Sequence, residues 1–303
     1  MAEMDAFRFE LNPSSADLPH CNAVLNGNVR TRSYVVNSYQ TTLCVKSVAR
    51  GSAWYRTPRG RYLVDAETFL VLNRGQEYSL EIAAGSDTET ICPFFQPGFL
   101  GHVADCQSAR PERLLDEPAA AGEDPEFFER LYSMKQGPVA ARLEILRAGL
   151  HGPGFCRPWL EDQLYGLAGD LLVLRDGVRR EVAAFPGSRL STREELYHRL
   201  HRARDYIDSC FAENLSVAKI SRAACLSPYH FHRAFRHAFG ETPMRYLQAR
   251  RLRAACHLLS ATDRPVTLIG LDVGFASLGT FSWLFRKRFG LSPREFRSRH
   301  RGR

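Results

Sequence analysis

The hydrophobic positions of this chain change period as it runs. Between residues 31 and 82 they come in short, nearly alternating runs, at 31–36, 41–48, 53–56, 61–64, 69–72 and 78–82. Gly51-Ser52, Pro58-Arg59-Gly60, Asn73-Arg74-Gly75 and Ala84-Gly85-Ser86 separate them. Successive side chains of a strand point to opposite faces, so alternation between turn residues predicts an antiparallel sandwich or barrel. Residues 91–103 read as a last strand plus loop, and 114–124, rich in acid, Pro, Ala and Gly, as a mobile loop. Helical spacing takes over at 125–134 and 139–150.

A longer helical pattern comes next. Leu160, Leu164, Leu167, Leu171, Leu174 and Val178 are spaced 4, 3, 4, 3 and 4. That is an a/d seam, which can pack on a second chain or on the helix at 139–150. Ala183 to Ser188, with Pro186-Gly187, breaks the helix and reads as a linker. Ser191 or Thr192 then caps a helix through Leu196, Leu200, Ala203, Ile207 and Phe211.

The C-terminal third is written twice. Phe231, Phe235, Arg236, Phe239, Gly240, Thr242, Pro243 and Tyr246 recur fifty positions on as Phe281, Phe285, Arg286, Phe289, Gly290, Ser292, Pro293 and Phe296. A repeat that keeps aromatic, basic, Gly and Pro positions in register is one supersecondary unit used twice. Ser227-Pro228 supplies a cap and a proline at the first helical position, and the Phe stripe at four-residue spacing makes one apolar face. Gly240 ends the helix, and Thr242-Pro243 starts the next. A short helix over 216–225 precedes this unit, so the pair predicts a helix-turn-helix at about 216–239, with a second at about 265–289. The second turn is one residue longer: Ile220 to Phe231 spans eleven positions, Ile269 to Phe281 twelve.

With Val273-Gly274-Phe275 and Ser292-Pro293-Arg294-Glu295-Phe296-Arg297, residues from about 194 to 301 resemble the DNA-binding domain of the AraC/XylS family of bacterial transcription regulators. The resemblance covers about a third of the chain. It places base-edge contacts at Tyr229, His232 and Arg233 in the first copy and at Thr280, Ser282 and Trp283 in the second. Arg233 suits a bidentate pairing with guanine. Arg236, Arg286, Lys287 and Arg288 fall at phosphate contacts, which position without specifying sequence. His230 reads as a buttress beside the first reading helix. The second copy departs from the pattern with Leu278 and Gly279 where polar residues are usual, and with Gly270 where Ala is usual. The first copy is therefore expected to specify most of the sequence. The order of Tyr62-Leu63-Val64 and Thr68 to Tyr78 resembles the family's small cupin-like jelly-roll sensor domain. The resemblance further implies dimerisation through the helix of Leu160, Leu164, Leu167, Leu171 and Leu174, and RNA polymerase as a partner beside double-stranded promoter DNA.

The expected fold class is α+β multidomain. A cupin-like sensor domain occupies 1–153, a helical, dimerising segment 154–182, a linker 183–192 and an all-α domain with two helix-turn-helix motifs 193–303. Charge agrees with this division. Residues 191–303 hold 21 Lys and Arg against 9 Asp and Glu, a balance of +12, leaving 20 against 24, or −4, for the rest. A basic end beside a mildly acidic remainder suits a protein that meets a polyanion with one end. The eight cysteines form no CxxC pair and the histidines no ligand cluster, so neither a metal site nor a cofactor is expected. The chain has no membrane-length apolar run and opens without a secretion signal, so the expected compartment is the cytoplasm. Tyr34, Trp54, Tyr55, Tyr62 and Tyr78 are candidates for the wall of a small-molecule effector pocket, or else plain core. Three functions compete: an effector-responsive homodimeric regulator, a regulator controlled by abundance or a protein partner, and an enzyme with a DNA-binding tail. The last would need a catalytic constellation, and none stands out.

Overall fold

The structure, a computed structural model, describes residues 22–29, 34–83, 87–108, 122–150, 152–185 and 189–301. The chain divides into two units, Met1–Glu194 and Glu195–Arg303, with the boundary inside one helix.

In the first unit, strands β1 (Ala23–Val29), β8 (Thr88–Phe94), β3 (Cys44–Arg50), β6 (Thr68–Leu72) and β9 (Leu131–Ser133) form one sheet in that order. Strands β2 (Tyr34–Gln40), β7 (Glu77–Ile82), β4 (Ser52–Arg56) and β5 (Arg61–Asp65) form the other. The pairings are antiparallel, as in Cys44 opposite Leu72 and Tyr55 opposite Tyr62. Period-two side chains from both sheets meet in one core, where Cys44, Leu70 and Phe94 face Tyr55, Val64 and Ile82. Each large apolar side chain so buried stabilises by about 1.5–3 kcal/mol. Of the sequence expectations, 31–33, 84–86 and most of 114–124 lie outside the described residues. β1 is a strand that the alternation does not reveal, because Asn26-Gly27-Asn28 interrupts it; its register against β8 runs from Ala23 opposite Phe94 to Val29 opposite Thr88.

Two segments differ from the sequence reading for identifiable reasons. Residues 99–103, read as loop, begin helix α1 (Phe99–Ser108). Its first amides are capped from a distance, since Asp124 accepts from the N–H groups of Gly98 (2.8 Å), Leu100 (3.0 Å) and Gly101 (3.4 Å). Residues 125–134, read as helix, are irregular up to residue 130 and then form the short strand β9. There Asn73 exchanges two hydrogen bonds with the Phe127 backbone, both 2.8 Å, and Thr57 donates to Glu129 at 2.5 Å. Backbone partners supplied by another segment leave no advantage to a helix.

Helix α2 (Pro138–Leu150) packs along α3 (Arg157–Ala183). This corrects the reading of the leucine seam. Leu160, Leu164, Leu167 and Leu171 are buried within their own unit, and Leu174 is half-buried. The buried face of α2, with Val139, Leu143, Leu146 and Leu150, and helix α1 supply the partners. Arg142 locks the pair, bonding Asp170 at 3.0 Å and Gln163 at 3.2 Å. An a/d pattern specifies an apolar stripe but not whose surface covers it.

The second unit is helical. Helix α4 (Leu190–Cys210) begins ahead of the expected caps at Ser191 and Thr192. Then come α5 (Val217–Ala223), α6 (Pro228–Phe239), α7 (Pro243–Ala261), α8 (Val266–Asp272), α9 (Leu278–Phe289) and α10 (Pro293–Arg301).

Candidate nucleic-acid interface

Each copy is built by the same local devices. Ser227 accepts from the N–H of His230 at 3.4 Å and Ser277 from that of Thr280 at 3.2 Å, which caps α6 and α9. Gly240 and Gly290 end the two helices in left-handed conformations, φ 74° and 75°. Between cap and stop Phe231, Phe235, Phe281 and Phe285 are buried, and Phe239 and Phe289 half-buried. The Phe231–Phe235 centroid distance of 5.4 Å recurs as 5.7 Å for Phe281–Phe285, and Phe235–Phe239 at 4.6 Å as 4.7 Å for Phe285–Phe289. Thr242 and Ser292 then cap α7 and α10.

Burying that stripe turns a polar face outward. On α6, Tyr229 is 74% exposed, and His232, Arg233 and Arg236 are exposed. His230, read as a buttress, is exposed as well. The Arg233 guanidinium lies 5.8 Å from the centre of the Tyr229 ring, a loose cation–π approach. On α9, Thr280 is exposed, Ser282 half-buried and Trp283 61% exposed, with the Lys287 ammonium 4.8 Å from the Trp283 ring. Arg286, Lys287 and Arg288 are exposed. The Thr280 hydroxyl already accepts from Ser277 at 2.9 Å, so part of its bonding capacity is spent on the cap.

Sequence reading missed the residues that hold the first turn. Arg202 on α4 donates to the Ala223 carbonyl at 2.7 Å and Arg199 to the Cys225 carbonyl at 3.2 Å. Cations on terminal carbonyls of a helix are favourable. Their spacing on α4 is ordinary for a solvated face, so nothing local marks them. Deeper in this unit, Tyr246 donates to Asp208 at 2.7 Å. Burial raises the Asp208 carboxyl above the usual range, while Arg204, Arg250 and the Tyr246 hydroxyl pull it back.

In the first unit the aromatic candidates separate. Tyr34, Tyr55 and Tyr78 line a cavity of about 50 Å³ between the sheets. Tyr62 is buried in the core but does not line that cavity. Trp54 does not belong to the wall: it alternates with inward-facing Ala53 and Tyr55 and sits under the Arg61 guanidinium, 3.9 Å from its ring. A residue that the pattern did not single out, Lys46, lines the cavity instead. Burial raises the Tyr78 and Tyr55 phenols and the Cys44 thiol, so all three are neutral at ordinary pH. Among the described residues no group of His, Cys, Asp and Glu could hold a metal ion, and no helix is long and apolar enough to cross a membrane.

Two capped, Phe-backed helices, each behind a short helix and a tight turn and each showing cations outward, define a double helix-turn-helix domain. The model of a helix-turn-helix domain family matches residues 220–299. The activator RhaS of Escherichia fergusonii is 40% identical over 116 residues, 38% of this chain and 42% of that protein. The arabinose operon regulatory protein of Escherichia coli K12 is 34% identical over 102 residues, 33% of this chain and 35% of that protein. A probable AraC family transcriptional regulator of known structure from Rhodopseudomonas palustris is 30% identical, covering 34% of this chain and 97% of that one, with a TM-score of 0.32. The C-terminal domain is thus an AraC-type helix-turn-helix domain, similar to those of these regulators. The matched stretch spans less than half the length of these two curated relatives.

Proposed function

We propose that the chain is a sequence-specific transcription regulator that binds promoter DNA through its two helix-turn-helix motifs and is not an enzyme. The observation that carries this is the twinned helix whose apolar face is sealed by phenylalanines while its outer face shows Tyr229, His232, Arg233 and Arg236. In this reading Arg233 pairs with a base edge, with Tyr229 and His232 beside it. Thr280, Ser282 and Trp283 make the second, weaker set of groove contacts. Arg236, Arg286, Lys287 and Arg288 neutralise phosphates. The relatives RhaS and the arabinose regulator carry transcriptional names, which favours regulation over catalysis.

The two-sheet first unit is proposed as a cupin-like jelly roll that receives a small-molecule effector in the interior lined by Tyr34, Tyr55 and Tyr78. A homodimer is proposed for the working protein, its contact moved from the leucine seam to the outer face of α3, where Tyr165 and Val173 are exposed. RNA polymerase is the proposed partner at the promoter.

Fluorescence anisotropy of the full chain on double-stranded promoter fragments across a salt series tests the DNA reading. Affinity should fall steeply with salt, with a log–log slope of about 0.9 per phosphate contacted. Absence of any salt-sensitive association would end it.

A further inference from the structure

The inward positions of β3 are Cys44, Lys46 and Val48, and the middle one is a lysine only 2% exposed. Its ammonium donates to the Tyr78 hydroxyl at 3.1 Å. It lies 4.2 Å from the centre of the Phe94 ring and 4.4 Å from that of Tyr78. The groups that act on it most strongly are Cys44, Tyr78 and Cys92, with Tyr34 also in reach, and none of these is a carboxylate. An ammonium has three donors, and a charge held away from water is retained only where something compensates it. Two ring faces and one neutral hydroxyl compensate in part.

The ammonium borders the cavity between the sheets, whose described wall is otherwise four tyrosines, Thr90, Cys92 and apolar side chains. We propose that this cavity binds a compact monocarboxylate, its oxygens on the Lys46 ammonium and the Tyr78 hydroxyl and its hydrocarbon part on the apolar wall. The proposal rests on reading the first unit as an effector domain. Three observations select this ligand class. The one cation in the described wall matches one negative charge, whereas phosphate calls for more donors. Among the described residues no carboxylate or amide side chain lines the cavity, so a sugar would leave most of its hydroxyls unpaired. The volume of about 50 Å³ admits only a few heavy atoms.

Titration calorimetry of the full chain with propanoate, butanoate and 3-methylbutanoate, each against its primary amide, tests this. At least one acid should bind, its amide at least tenfold more weakly, and Lys46→Met should lose binding at least tenfold while keeping the wild-type circular dichroism. Tyr78→Phe, which keeps the charge and removes one donor, should weaken binding severalfold, and it carries the test if Lys46→Met does not fold. No binding of any acid, equal binding of acid and amide, or undiminished binding to Lys46→Met would each overturn the proposal. Anisotropy on promoter DNA, run on the same preparations, keeps the two readings apart: intact DNA binding without acid binding removes only the ligand assignment.

Discussion

In the first helix-turn-helix the turn is made by Cys225, a non-glycine residue held at φ 51°; in the second the equivalent residue is Gly274 at φ 93°. The hydrogen bonds around them match: Leu226 N–H to Ser221 and Phe275 N–H to Gly270, both 3.0 Å. What differs is the space. A Cβ on Gly274 would lie 2.8 Å from the Ala212 carbonyl and 2.9 Å from the Arg251 guanidinium, which itself bonds the carbonyls of Phe211 and Glu213. In the second copy Phe281 also sits over Gly270, where a Cβ would meet its ring at 2.9 Å. The first copy has Ser221 at that position. Gly270 is thus a seat for Phe281, and more than the weak helix position that its sequence suggests. Identical hydrogen bonding can be reached by a tolerated strain or by a required glycine, and the two copies show one of each.

The sharpest way to break this comparison is to exchange the turn residues. Gly274→Ala should lower the stability of the C-terminal unit by about 3 kcal/mol, combining left-handed strain with overpacking against fixed backbone. Cys225→Gly should change it by less than about 1 kcal/mol, since relief of strain and the entropy lost in ordering a glycine offset. Urea denaturation of both variants measures the difference. Similar losses from the two would show that the turns are interchangeable.

The copies also differ just beyond the reading helix. Tyr246 and Phe296 occupy the same place, 5.8 Å and 5.4 Å from Phe235 and Phe285, but only Tyr246 carries a hydroxyl, and that hydroxyl holds Asp208. Tyr246→Phe makes the first copy resemble the second and strips a buried carboxylate of a donor, so it should destabilise by about 1–3 kcal/mol. Ahead of the turn the copies are forty-nine positions apart, as Ile220 and Ile269 are, and forty-nine after Asp208 stands His257, so Phe296→Tyr meets no equivalent carboxylate. Thermal unfolding of the pair should show a clear drop for the first substitution and little change for the second.

On DNA the asymmetry moves to the outer faces. Under the proposed function, Arg233→Ala should cost about 1–3 kcal/mol of discrimination at one base pair. Ser282→Ala, at a half-buried position, should cost much less. Footprints over both half-sites provide the readout, and equal losses would contradict the view that the first copy specifies most of the sequence.

How much of this is legible in the chain depends on where the cause lies. Caps at Ser227 and Ser277, stops at Gly240 and Gly290 and the Phe stripes act within one helix, and so the repeat reads directly. The α1 helix depends on Asp124, more than twenty residues away, and 125–130 is not helical because Asn73 and Thr57, just beyond strand ends, bond Phe127 and Glu129. Such causes leave no local trace. The leucine seam shows its apolar face but not its cover, which is α2 together with α1. Lys46 had a usable signal: a lysine at an inward position of an alternating strand, between Cys44 and Val48. Read as polar, it simply weakens the strand; read by period, it is a charge aimed into the core.

The smallest difference between the copies is electrostatic. Ser292 and Glu295 form a reciprocal capping box at α10: Ser292 N–H donates to the Glu295 carboxylate at 2.7 Å, and Glu295 N–H donates to Ser292 Oγ at 3.3 Å. The position fifty residues earlier is Arg245, so the first copy has a hydroxyl cap alone. Those bonds, the Ser292 backbone one foremost, hold the Glu295 carboxyl below the ordinary glutamate value. A carboxyl whose folded value is depressed stabilises fully above its unfolded value and loses that contribution as pH falls through the folded one. Acidification below about 4.3 should therefore loosen the start of α10 while the start of α7, capped by Thr242, is unaffected. Amide exchange at the first turn of each helix, monitored from pH 6 to pH 3 after correction for intrinsic rates, should show extra exchange at α10 only. Glu295→Gln should remove most of that pH dependence. Equal acid sensitivity in both helices would mean that the carboxylate is not what sets the two ends apart.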